Sequence, residues 1–342
     1  MKKKYIKYNE LPAVLLLFIC IGITFLFAYR SISRFAAESC FRQLHQTTQE
    51  FCRELNNNVE SDNRLLTQIA DQIAGFEEMN CDSTKKLLSS FVPDGSMVRL
   101  ELLLPGDRLL RSDGTVYNAD DTISFTDEAT QGCHISGRME DPKSSGSMIL
   151  RYFVPVEKSG TIRALLCGVI DLEKISEIYT LKEYHENASL YVIEGSSGDF
   201  LVDTLHSSLG SIYELGDRPV KDGYHTEQVV TDMENGTAGR TAFQSFSYGE
   251  YLYCDYAPVG INDWMVMLSL PESVVMAEAH QILAIFYLMA VIEAVCLFIY
   301  FAWVLCRIRK ESKEREVQFN RVKYMLDIEE TWTYVNTLDK KS

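Results

Sequence analysis

The chain has 342 residues, with 33 Lys and Arg against 48 Asp and Glu, a formal net charge of −15 and 46 % hydrophobic residues. Those values exclude a disordered or collagen-like chain, and the acidic surplus argues against a nucleic-acid partner, because phosphates are met by Lys and Arg. The charge is unevenly spread: residues 1–10 carry +3 and residues 307–342 carry +2, while residues 11–306 carry −20.

In chain order, a basic tail (residues 1–11, with Lys2, Lys3, Lys4 and Lys7) precedes an apolar, uncharged run over 12–29. A second apolar run, 282–306, holds one charge, Glu293, and is followed by Arg307, Arg309, Lys310, Lys313 and Arg315. At about 1.5 Å per residue, each run can cross a hydrocarbon core of about 30 Å. Basic flanks stay cytoplasmic, so both termini are expected inside and residues 30–281 outside. A cleaved signal peptide is the competing reading of the first run; the long stretch without a small-x-small site after Ala28 favours a retained anchor.

Glu293 sits mid-span, where a charged carboxyl costs about 2.5–3.5 kcal/mol. Beside it Ala290 and Ala294 form a small-xxx-small pair that permits close helix approach. Two readings stand: a homodimer with Glu293, Ala290 and Ala294 at the helix contact, or a neutral side chain tolerated by a long helix.

Between the spans, residues 31–73 read as one helix. Cys40, Leu44, Thr47, Phe51, Leu55, Leu66, Ile69 and Ile73 follow three-and-four spacing, interrupted by NNNVESDN. Beyond it the pattern changes to short β-rich runs punctuated by Gly and Pro. Here a duplication is visible. GDRLL (106–110) is answered by GDFLV (198–202). YFVPV (152–156), a turn, ALLCGVI and DLEKI are answered by YAPV (256–259), a turn, WMVMLSL and PESVV, in the same order. Two matches in order point to a repeated strand–turn–strand unit.

These residues carry a resemblance. LYCDYAPVGINDWMVMLSLPESVV (252–275) and LLCGVIDLEKI (165–175) resemble the ends of the two modules of a double Cache sensor domain, and the likeness spans about 31–280. It implies an α+β fold: a two-span membrane protein whose extracytoplasmic part has a long N-terminal helix and two PAS-like antiparallel-sheet modules. The membrane-distal module is expected over about 75–180 and the membrane-proximal one over about 186–275.

No catalytic constellation is visible: G-x-S-x-G, G-x-x-x-x-G-K and H-E-x-x-H are missing, and the six His are scattered without metal-ligand spacing. Neither a metal, nor a cofactor, nor an enzyme activity is expected. Cys40, Cys52, Cys81, Cys133, Cys167 and Cys254 lie outside the spans, where disulfides are possible; Cys167 and Cys254 read better as small core residues.

Double Cache domains usually bind a small molecule in the distal module. In the amino-acid-binding branch, an Arg-x-Trp-Tyr run holds the carboxylate, while a Tyr-x-Asp pair and a later Asp hold the ammonium group. The resemblance places Asp171 at the later Asp and Asp141 at the Tyr-x-Asp position, where Met139 stands in place of the tyrosine. The Arg-x-Trp-Tyr run is missing, since residues 122–132 read TISFTDEATQG. An amine or amino-acid-like ligand is thus implied, with Asp141 and Asp171 facing a cation and Tyr117 or Tyr152 offering an aromatic face. Taken alone, Asp171 is equally a helix N-cap and Asp141 a turn residue before Pro142.

After the second span, Ile308, Phe319, Val322 and Leu326 fit an interrupted heptad seam in a cytoplasmic helix over 307–342. That stretch is too short for a kinase or a cyclase. The chain resembles the input half of clostridial membrane-bound diguanylate cyclases, without their GGDEF output domain. A receptor for an extracellular small molecule is therefore expected, the input half of a diguanylate cyclase, working as a homodimer in the bilayer, with a separate cytoplasmic output protein as one further partner. The alternative is a stand-alone envelope protein that captures a ligand or partner.

Overall fold

A 65-residue helix, α1 (Glu10–Ala74), opens the chain and a 63-residue helix, α7 (Ala277–Asp339), closes it. The computed structural model describes residues 10–339 apart from 94–95, 120–121, 145, 179–187, 207–209 and 216–217; side chains at 10–18, 176–178, 214–215, 226, 278, 308, 327 and 330–339 are also outside the description. The lysines of the basic tail and the side chain of Ile308 thus fall outside it.

The chain divides into two compact units, one comprising Met1–Ile32 with Glu278–Ser342 and the other Ser33–Ala277. In the first unit, both helical stretches are long and apolar enough to cross a membrane. Glu293 is exposed on α7, with Ala290 and Ala294 half-buried on the same helix. Phe25 and Tyr287 meet edge to face, 6.4 Å between ring centroids.

Ser33–Ala277 carries two antiparallel sheets. The first orders β3 (Val116–Asn118), β2 (Arg108–Arg111), β1 (Met97–Leu104), β7 (Thr161–Asp171), β6 (Met148–Lys158) and β4 (His134–Ile135), with β5 (Met139–Glu140) also on β6. The second orders β10 (Gly239–Gln244), β11 (Tyr251–Pro258), β12 (Trp264–Pro271), β8 (Ser189–Glu194) and β9 (Phe200–Asp203). Short helices complete them: α2 (Asp82–Ser89), α3 (Phe125–Gln131), α4 (Leu172–Ile178), α5 (Thr226–Glu234) and α6 (Glu272–Val275).

The duplication read from the sequence is a duplication of topology. The hairpin β1–β2 corresponds to β8–β9 and the hairpin β6–β7 to β11–β12; both sheets then run in the same order, 2-1-7-6 against 9-8-12-11. The chain uses near-continuous apolar strands here because the central strands are covered on both faces: all eight residues of β12 and seven consecutive residues of β7 are buried.

Residues 38–74 of α1 and the turn that follows it lie along one face of both sheets. Against the second sheet, Phe41 packs on Tyr253 at 5.4 Å between centroids, His45 Nδ1 reaches Asp255 Oδ2 at 3.3 Å, and Cys52 Sγ donates to the Ala257 carbonyl at 3.8 Å. Against the first, Ser96 donates to Asp62, Lys158 Nζ donates to the Phe76 carbonyl at 3.0 Å, and the backbone of Gly168 comes so close to Leu66 that an added Cβ would sit 3.0 Å from its Cδ1. The polar Asn56–Asn63 stretch stays helical because buried Leu55 and Leu66 anchor it on either side while its own side chains are exposed or half-buried. Polar contacts also tie the modules together: Arg138 Nη2 pairs with Asp199 at 3.0 Å, its Nη1 donates to the Phe200 and Gly210 carbonyls at 3.1 and 3.4 Å, and Asn262 Nδ2 donates to the Ile135 carbonyl at 3.1 Å.

All nine cysteines are free thiols. Burial pushes the thiols of Cys40 and Cys52 up to about 11, and those of Cys167 and Cys254 higher still, so at neutral pH these four are small apolar fillers.

Candidate functional site

Each sheet has a face away from α1, and strand register decides what points there. In the first module Arg151 pairs with Val169, Phe153 with Cys167, Cys167 with Glu101, and Glu101 with Arg111, so these residues share that face. Tyr117 joins them, because it pairs with Leu109, which pairs with Leu103, which pairs with Leu165.

The centre of this face is a buried ion cluster. Glu101 and Arg151 both have fully buried side chains; Glu101 Oε2 accepts from Arg151 Nη2 at 3.3 Å and Nε at 3.4 Å. The other carboxylate oxygen accepts from Arg99 Nε at 3.0 Å and lies 3.5 Å from Arg111 Nε. Arg99 Nη2 also donates to Asp141 at 2.8 Å. Two of the residues singled out from the sequence are thus drawn into the cluster. Asp141 is paired with Arg99 and also accepts the Lys143 N–H at 2.9 Å, closing a turn. The ring of Tyr117 is covered by the guanidinium of Arg111, 4.0 Å from its centroid, so its aromatic face is held by a cation of the chain itself. Burial raises the Tyr117 phenol above its usual value, and its hydroxyl has no hydrogen-bond partner among the described residues.

The remaining two lie elsewhere. Asp171 ends β7 and accepts the Glu173 N–H at 3.1 Å, the geometry of a cap on α4. Tyr152 pairs with Gly168 and therefore points to the opposite face, toward α1, beside Leu55, Val59 and Trp264. Tyr117 and Tyr152 cannot line one site, because the sheet lies between them. Met139, standing where the resemblance would place a tyrosine, sets its Sδ against Arg151 Nη1.

The second module has an open space on the corresponding face. A cavity of about 160 Å³ lies there, floored by Tyr191, Phe200, Phe243 and Met267. Its polar wall comes from loops. Asp203, at the end of β9, is 4 % exposed and both its carboxylate oxygens are engaged: Oδ1 accepts the N–H groups of Leu205 (2.8 Å) and His206 (3.0 Å), and Oδ2 accepts from His206 Nδ1 (2.8 Å). His206 Nε2 meets Ser247 Oγ at 3.0 Å. The order Asp–His–Ser is that of a hydrolase relay. However, Ser247 lies on an exposed turn, and the backbone N–H after it, that of Tyr248, goes to Ser245 Oγ at 3.3 Å, so the usual oxyanion donor is occupied. The hydrogen bonds to Asp203 and Ser247 fix the imidazole in the cavity wall.

Arg218 completes the wall and is of another kind. Among the described residues its buried Nε has no hydrogen-bond partner, and its guanidinium stands 5.0 Å from the ring centroid of Phe246. A buried polar atom without a partner is costly. None of these cavity residues stands out in the sequence: they come from separate strands and the loops between them, and His206 reads as one of six scattered histidines.

The fold is one shared with extracellular sensor domains of known structure. Solved structures with this fold include the extracellular domain of rpHK1S-Z16, assigned as a histidine kinase (TM-score 0.55, 13 % identity, 70 % of this chain and 97 % of that one). Also similar are the ligand-binding domain of the Pseudomonas aeruginosa PAO1 amino-acid chemoreceptor PctB in complex with L-Arg (0.54, 13 %, 70 % and 98 %) and that of the Pseudomonas fluorescens chemoreceptor CtaA in complex with L-leucine (0.52, 12 %, 70 % and 97 %). At such identities the likeness is one of fold. No protein-family model matches the sequence, and no curated protein matches it.

Proposed function

We propose that this chain is a two-span membrane receptor for an extracellular small molecule, with both termini in the cytoplasm and no catalytic step of its own. One observation carries the reading: a single helix, α1, holds both modules of a sensor fold and is continuous with an apolar, span-length stretch. Binding that shifts either module against α1 has a direct mechanical route into the membrane. The relay needs only unequal affinity of the ligand for two helix arrangements. Glu293, Ala290 and Ala294 supply the contact between two copies, and the resemblance to diguanylate cyclase input domains supplies the output: control of a cyclic-di-GMP-making domain, fused or separate.

The test uses the full chain in lipid nanodiscs, with Cys296 and Cys306 replaced by Ser and Arg309→Cys introduced as a cross-linking reporter. The probes are the standard amino acids, short-chain carboxylates and primary amines, each scored for melting temperature and for cross-linking rate. A probe that raises the melting temperature is expected to change cross-linking as well. If every binder leaves cross-linking unchanged, the relay is refuted.

A further inference from the structure

We infer that the second module binds a small monocarboxylate with a short branched apolar body, its carboxylate on Arg218 and its body on the Tyr191–Phe200–Phe243–Met267 floor. The inference adds a ligand class and a location to the receptor reading, on which it rests only in requiring that the external domain binds something.

Three observations lead there. The first is space. The cavity measures about 160 Å³, and an interior cavity of about 150 Å³ accepts a benzene ring, so a molecule of roughly six to eight heavy atoms fits. The face that would hold a ligand in the first module is instead filled by its own side chains, with Arg151, Phe153 and Cys167 all buried.

The second is charge. Arg218 brings a guanidinium that no described acid neutralises, and a planar fork of donors is matched by a carboxylate. One such group and an apolar floor suit one negative charge on a hydrocarbon body better than a phosphate, which takes more donors. The third is what the acid in the wall is doing. An amino acid would also need a partner for its ammonium group, but each oxygen of Asp203 already accepts a hydrogen bond from the Leu205–His206 segment. An α-ammonium group would have to compete with His206 for Oδ2 of Asp203.

Three probes with one carbon skeleton separate these terms: isocaproate, isohexylamine and leucine. They are titrated calorimetrically against the full chain in nanodiscs, together with Arg218→Gln, Arg218→Lys and the surface control Arg240→Gln. Among the described residues Arg218 has no hydrogen bond or ion pair to lose, so its variants are expected to keep the wild-type melting temperature when unliganded. Isocaproate is expected to bind, isohexylamine not to bind, and leucine to bind more weakly than isocaproate. Arg218→Gln should weaken isocaproate by about tenfold or more, the scale of a lost charge-assisted pair. Arg218→Lys should fall between the two, and Arg240→Gln should equal wild type. No binding of isocaproate at millimolar concentration, binding unaltered in Arg218→Gln, or tighter binding of the amine or of leucine each overturns the inference. The two readings fail separately. Isocaproate bound through Arg218 without a change in cross-linking sinks the relay and keeps the site; another probe that binds and changes cross-linking in Arg218→Gln sinks the site and keeps the relay.

Discussion

Replacing Glu101 by Gln would test the buried cluster of the first module. The substitution keeps shape and removes one charge, leaving Arg151, whose side chain is fully buried, without its anion. Removing one partner of a buried pair costs about 3–5 kcal/mol, because the surviving charge stays desolvated. At 2–4 °C per kcal/mol for a unit of this size, the melting temperature should drop by about 6–20 °C. Arg99 and Arg111 enlarge the effect, since each also approaches the lost oxygen, at 3.0 and 3.5 Å. Replacing both members, Glu101→Leu with Arg151→Met, removes the fully buried uncompensated charge, leaves Arg99 on Asp141 and Arg111 over Tyr117, and fills the space with apolar volume. It should restore at least half of the loss, since apolar substitutes for buried pairs are often neutral or stabilising. Scanning fluorimetry of the full chain, with intrinsic fluorescence as a second probe, is sufficient. A fall below about 2 °C in Glu101→Gln, or a double variant less stable than the single one, would show that the cluster is solvated and refute the account.

Asp255 gives a pH dependence. Burial raises its carboxyl above the usual 3.8, against the opposing pull of His45. The neutral form is therefore favoured in the folded state, so the stability from this group is present below 3.8 and is lost as pH rises through the raised value. Asp255→Asn should melt higher than wild type at neutral pH, with the gap closing below 3.8; a gap that grows on acidification contradicts the burial argument. Gly195→Ala places a methyl group 2.7 and 2.8 Å from the carbonyl oxygens of Asp263 and Met233, both backbone atoms that cannot swing aside. It should cost about 1–3 kcal/mol, read as a lower urea midpoint at unchanged slope. Asp171→Ala should lose about 1 kcal/mol by uncapping α4, whereas Asp171→Asn keeps the acceptor and should match wild type. If Asp171→Asn abolishes binding of an amine probe without changing stability, Asp171 contacts ligand and not merely the helix.

Much of the architecture is legible in the sequence because it is local. The two apolar runs, the three-and-four spacing of α1 and the paired GDRLL and GDFLV hairpins each need only neighbouring residues to be read, and each becomes a helix or hairpin. The candidate sites are less legible because they depend on register across long separations. Tyr117 and Tyr152 look alike as exposed aromatic faces until the β2–β3 and β6–β7 pairings put them on opposite sides of one sheet. Glu101 sits in VRLELLL, where an isolated acid reads as a solvated position. It is buried because Arg151, fifty residues later, arrives on the same face. A signal existed in the recurrence of charges at same-face positions of apolar strands: Arg99, Glu101, Arg111 and Arg151.

The duplication itself explains why one module is filled and the other is not. The Pro-Val pairs Pro155-Val156 and Pro258-Val259 align the modules, and the pairings Pro155–Leu165 and Pro258–Met265 keep that alignment across the hairpins. On it, Phe153 corresponds to Tyr256, Cys167 to Met267, and Arg151 to Cys254. Phe153 and Tyr256 are close in size, so the exchange that matters is a guanidinium on a three-carbon stem for a thiol on one carbon. In the first module the long side chain crosses the face, meets Glu101 and closes the space. In the second, the short Cys254 is packed inside the apolar cluster, and the cavity lies over its neighbours Met267 and Leu252. Packing at crystal-like density leaves few voids unless something else is meant to occupy them. A cation held at the rim of such a void, with its Nε unpaired, is what a site built for an anion requires before its ligand arrives.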